Sequence, residues 1–150
     1  MRVWHYTILD RAKRILLDGK IKAATAGVPT REIPVVWFSA QQVWEPTANK
    51  MVVRKHALEF ETKITLTTRQ MFDGVAGPLV RFGIDSDTLL PWAILKRKAK
   101  ISRKEQTRLI KKAKLVGSDP MLWYGHLYNL VLWDTIEGWV EGKWYPVELT

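Results

Sequence analysis

The chain has 150 residues, 47% hydrophobic and 26% charged, with 24 Lys/Arg against 15 Asp/Glu for a net charge of +9. A length of this order fits a single domain, residues 1–150, that buries enough surface to hold a core without staples. The absence of cysteine rules out disulfides, thiolate metal ligands and a thiol nucleophile.

Three histidines (His5, His56 and His126) are scattered without metal-ligand spacing, so no metal is expected. No apolar run reaches the roughly 18 residues of a membrane span, and the N-terminus lacks the apolar segment of a signal peptide. Together these predict a soluble, cytoplasmic protein with no membrane partner.

In chain order, residues 2–7 (RVWHYT) read as a strand, with Val3, His5 and Thr7 on one face and Trp4 and Tyr6 on the other. Thr7 with Asp10 is a capping-box-like pair opening a helix whose apolar positions are Ile8, Leu9, Ala12, Ile15 and Leu16; Gly19 suits its C-terminal turn. Residues 23–34 read as loop, and Pro34 precedes a second strand, VVWFSA. The segment QQVWEPTANK is irregular, and its Glu45 is a weak candidate for any chemistry.

Segments 51–54 and 57–66 are strand candidates, residues 67–78 a turn or short helix, and 78–85 a strand with Leu79, Arg81 and Gly83 opposite Val80, Phe82 and Ile84. A helix is predicted over Ser102–Lys114, with Ser102 and Glu105 as a capping box, Ile101 preceding it and a thin apolar stripe of Leu109, Ile110 and Ala113. The C-terminal stretch LVLWDTIEGWVEGKWYPVEL reads as a hairpin turning at Glu141-Gly142, with Trp133, Thr135, Glu137 and Trp139 on one face. The whole is an α+β layout.

The charge is unevenly placed. Between Lys96 and Lys114 ten Lys/Arg face one Glu, and the rest of the chain sums to zero. Such one-signed crowding repels itself and points to an anionic partner, most commonly a phosphate backbone. Lys96, Arg97, Lys98, Lys100, Arg103, Lys104, Arg108, Lys111 and Lys112 are the candidate contacts. No helix-turn-helix, zinc-finger or RNP signature accompanies them, and the chain has no GxGxxG, P-loop or GxSxG motif.

Taken in order, VWHYTILDRAKRILLDGKI, IPVVWFSAQQVWEPTANK and the late strand carrying Glu137 resemble the His-containing branch of the ADP-ribosyltransferase superfamily. The resemblance is to bacterial toxins that ADP-ribosylate DNA and, more distantly, to poly(ADP-ribose) polymerases and tRNA 2′-phosphotransferases. It covers roughly the first 50 and last 20 residues. It implies a mostly antiparallel, split β core with a few flanking helices, NAD as substrate, and transfer of ADP-ribose to nucleic acid or a nucleic-acid-associated target.

By that resemblance His5 would hydrogen-bond the adenosine-side ribose, the Tyr6–Thr7 backbone would hold the nicotinamide amide, and Trp37 or Phe38 would lie against the nicotinamide ring. Glu137 would be the catalytic acid, with Glu141 and Glu148 as alternatives. The toxins carry an Arg after the second strand where this chain has Gln41 and Gln42; Arg54 or Arg81 would then serve the NAD phosphates. The alternative function is a non-enzymatic basic module that binds nucleic acid through residues 96–114 and stacks bases on Trp.

Overall fold

The structure, a computed structural model, describes residues 1–57 and 59–149. Strand β1 (Arg2–Ile8) alternates as expected, with Val3 and Thr7 buried on one face and Trp4 and Tyr6 buried on the other. It runs directly into helix α1 (Leu9–Asp18), which Gly19 ends at φ 70°. Thr7 does not cap this helix. It is a buried strand residue, the N-cap position falls on Ile8, and the Leu9 N–H donates to the Pro78 carbonyl at 2.8 Å. A side chain turned into the core cannot fold back onto the first helical turn.

The remaining elements are β2 (Val35–Ser39), β3 (Met51–His56), β4 (Phe60–Thr65), α2 (Thr68–Phe72), β5 (Leu79–Asp85), β6 (Leu90–Pro91), α3 (Trp92–Lys98), α4 (Arg103–Val116), β7 (Trp123–Leu127), β8 (Thr135–Val140) and β9 (Lys143–Pro146). Seven strands form one sheet in the order β6-β7-β2-β1-β5-β8-β9, every neighbouring pair antiparallel, and β3 and β4 form a separate hairpin. The architecture is therefore α+β with mostly antiparallel sheets. Leu58, inside the segment read as the fourth strand, lies outside the described residues.

One face of the sheet, with Val3, Val36, Phe38, Val80, Phe82 and Ile84, packs on Ala12 and its neighbours in α1. The other face is covered in two parts. Helices α3 and α4 bring Trp92, Leu95 and Ala113 onto Val35 and Trp123. Near α2, Met71 and Leu66 pack with Trp4, Tyr6, Trp44 and Leu79. Gly125 lets α3 approach β7, since a methyl group there would meet Leu95 and Val35 at 2.6 Å.

Sheet continuity is uneven. Strand β1 pairs with β5 along its whole length and β2 with β7 likewise, but β1 and β2 meet only at Trp4 and Ser39 among the described residues. Beyond that point the two halves of the sheet diverge.

Helix α4 begins as expected, with the Glu105 N–H donating to Ser102 Oγ at 3.1 Å, but the Glu105 carboxylate turns to Arg108 instead of back to the cap. The C-terminal hairpin turns at Glu141-Gly142, both at positive φ (46° and 85°), the geometry of a tight two-residue turn. Trp133 departs from the expected face. The strand starts only at Thr135, and the Trp133 ring packs edge-on against Phe82, on the α1 side, away from Glu137.

Candidate functional site

Where β1 and β2 cease to pair, a side chain still links them: His5 Nδ1 donates to the Trp37 carbonyl at 2.8 Å. With Nδ1 carrying the proton, Nε2 of the neutral ring is an acceptor. Burial, with Lys50 and Arg11 nearby, pushes the His5 pKa down to about 4, against the weaker opposing pull of the Trp37 carbonyl. The ring is therefore neutral at pH 7.

A cleft of ≈ 340 Å³ opens at this split, within the usual size range of small-molecule sites. Strand β1 contributes Trp4, His5 and Tyr6 to it, and β2 contributes Trp37, Phe38 and Ser39. Glu45, Thr47, Ala48 and Lys50 line it from the segment after β2, Leu109 and Lys112 from α4, and Trp123 from β7. His5 and Phe38 stand 5.7 Å apart between ring centroids, and Trp37 packs on Trp123 at 6.0 Å.

Glu45 is the carboxylate of this cleft, although its sequence context gave it little weight. It is 6% exposed. Ser39 Oγ donates to its Oε1 at 2.9 Å; the Thr47 N–H, Thr47 Oγ1 and Ser118 Oγ donate to its Oε2 at 3.0, 2.6 and 2.7 Å. Trp123 Nε1 supports Ser118 Oγ at 3.0 Å. Four donors satisfy a buried carboxylate, and Oε1, with one partner, retains acceptor capacity for a ligand hydroxyl. The local signal was Glu-Pro at the start of a helical turn: Glu45 caps the 3₁₀ turn Pro46–Ala48. Its partner Ser118 lies 73 positions away and has no local signature.

Glu137 is not among the residues lining the cleft. The Arg81 Nε and Nη2 grip its Oε1 at 2.8 and 2.5 Å, with the two side chains 8% and 16% exposed. Arg81 also donates to the Gln42 carbonyl at 2.5 Å and to Tyr6 Oη at 3.3 Å. Its guanidinium lies 3.6 Å from the Trp4 ring centroid and 4.5 Å from that of Trp144. Arg81 is thus committed to contacts within the fold. Arg54 stands on the exposed β3–β4 hairpin and does not line the cleft either. Glu141 occupies the exposed turn after β8.

The basic residues occupy the end of α3, the bend at Lys100 and α4. Arg97, Lys98, Lys100, Arg103, Lys104, Lys111 and Lys112 are exposed, Arg108 pairs with Glu105, and Lys96 lies 5.9 Å from the Trp92 ring centroid. Lys112 joins this surface to the cleft.

Among the described residues no group of three His, Asp or Glu is gathered as a metal site, and no helix is long and apolar enough to cross a membrane. Comparison of the chain with family models, curated proteins and solved structures gave no match.

Proposed function

We propose that the protein is an NAD-dependent ADP-ribosyltransferase that modifies nucleic acid or a nucleic-acid-associated target, with NAD held in the β1–β2 cleft. The observation that carries this reading is the convergence of His5, Trp37, Phe38 and the buried carboxylate Glu45 on one cleft opened by a break in the sheet. The cleft's aromatic walls and the cations Lys50 and Lys112 support the choice of a nucleotide ligand.

In this reading neutral His5 offers Nε2 to a ribose hydroxyl while Nδ1 stays anchored on Trp37. The Tyr6–Thr7 backbone, unpaired on its β2 side, holds the nicotinamide amide, and an aromatic side chain of Trp37 or Phe38 backs the ring. The carboxylate role passes from Glu137 to Glu45. Nicotinamide leaves the ribose carbon with the bonding pair, positive charge develops on the ribose, and a fixed carboxylate stabilises that charge. The acceptor atom bonds to the same carbon and its proton passes to solvent. Strand β8 and Glu137 then serve the fold through Arg81.

The exposed cations of α3 and α4 favour a second reading, a binding module for nucleic acid without catalysis. NAD binding separates the two. NAD should raise the melting temperature, by the equivalent of about 2.7 kcal/mol at a hundredfold excess over Kd, and His5→Ala should abolish the rise. No shift at millimolar NAD would leave the binding-module reading in place.

A further inference from the structure

Lys50 is a charge without a counterion among the described residues. It lines the cleft, half-buried, and among the described residues no carboxylate lies within 4.0 Å of its Nζ. The cleft carboxylate does not serve it, because Glu45 is held by the hydroxyls of Ser39, Thr47 and Ser118 and the Thr47 N–H. Taking an ammonium out of water without a partner is costly. Burial and the nearby Arg11 guanidinium push the Lys50 pKa down to about 8, so the amine is still mostly charged at neutral pH.

A second cation, Lys112 of α4, exposed where Lys50 is half-buried, lines the same cleft and is also without an acidic partner among the described residues. Two cations lining one cleft, with Glu45 already engaged, give it a positive potential that favours an anion. Their backbones are well fixed: the Lys50 carbonyl accepts from the Leu66 N–H at 2.8 Å, and Lys112 sits inside the capped helix.

We propose that Lys50 and Lys112 form an anion subsite of the cleft that binds the phosphate groups of a nucleotide ligand. This rests on reading the cleft as the NAD site, and it replaces Arg54 and Arg81 as the phosphate contacts. The anion gives half-buried Lys50 a counterion and exposed Lys112 adds its charge at the same cleft, so a phosphate group contributes affinity where a neutral nucleoside cannot.

The test is calorimetric titration of the full chain with inorganic pyrophosphate and, separately, with NAD. Wild type and Lys13→Gln, an exposed α1 control, should bind pyrophosphate alike, and Lys50→Met and Lys112→Gln should each weaken binding at least tenfold. Lys50→Met, which keeps the apolar stem, should fold with an equal or higher Tm in the absence of ligand. Pyrophosphate that binds wild type and both cleft variants equally, or does not bind at all, overturns the subsite. A loss in Lys13→Gln as large as in the cleft variants overturns it too, since the effect would then be one of net charge. If pyrophosphate binds through both lysines but NAD does not compete with it, the subsite stands and the NAD reading fails. If NAD binds with equal affinity to wild type and both variants, the NAD reading stands and the subsite fails.

Discussion

His5 links β1 to β2 through a side-chain hydrogen bond to the Trp37 carbonyl. Its strand position and facing are legible from alternation in RVWHYT, but its partner, the Trp37 carbonyl, is a long-range fact. Because burial lowers its pKa to about 4 from an ordinary value of 6.5, the unfolded chain takes up a proton more readily between those values. His5 therefore contributes stability that is fully present above about pH 6.5, lost as pH falls towards 4 and level below that. Denaturant midpoints measured from pH 7 to 4 should show this slope, and His5→Gln, which cannot titrate, should flatten it.

The two carboxylates behave oppositely. Glu137→Gln removes the counterion of nearly buried Arg81 and should cost about 3–5 kcal/mol in denaturant unfolding. An unchanged midpoint would show that the Arg81–Trp4–Trp144 stack holds the cation unaided. The alternation in WDTIEGW made Glu137 visible as a facing residue, whereas nothing local announced Arg81 as its partner. Glu45 was less legible still, because its environment is assembled from three segments.

At the scale of elements, regular alternation and cap chemistry carried the reading of β1, β2, β5, α4 and the C-terminal hairpin. Strand β7 and helix α3 escaped it. WYGHL has a glycine at its centre, which in isolation weakens a strand, yet here Gly125 is the space that Leu95 of α3 fills. Gly125→Ala should lower stability by about 1–3 kcal/mol, the usual cost of overpacking a tight contact; a neutral effect on the thermal midpoint would mean that α3 can shift without loss.

Helix α4 was legible as a solvated, basic helix because its apolar stripe is thin, but its second role, walling the cleft with Leu109 and Lys112, depends on where the 3₁₀ turn at Pro46–Ala48 sits. If its cations meet phosphates, reversing four of Lys98, Arg103, Lys104, Lys111 and their neighbours should weaken nucleic-acid binding. It should also flatten the log–log salt dependence by about 0.9 per lost contact on duplex DNA. An unchanged slope would make the segment a solvated face.

For the whole molecule, the sequence segregates net charge into residues 96–114, and the fold sets the end of that segment beside the break in the sheet. A short β1–β2 pairing beside a buried carboxylate and a half-buried lysine without an acidic partner among the described residues is a costly arrangement for stability alone; such conflicts with folding rules are expected where a ligand is handled. We propose as the central claim that this cleft transfers ADP-ribose through Glu45. Its most direct test is mass spectrometry of single-stranded and duplex DNA, RNA and protein after incubation with NAD and wild type, Glu45→Gln or Glu137→Gln, each first shown to be folded at the assay temperature. The account predicts an ADP-ribose adduct with wild type and with folded Glu137→Gln, and a loss of at least about 10²-fold with Glu45→Gln. No adduct on any of these substrates, or an adduct formed equally well by Glu45→Gln, would contradict it.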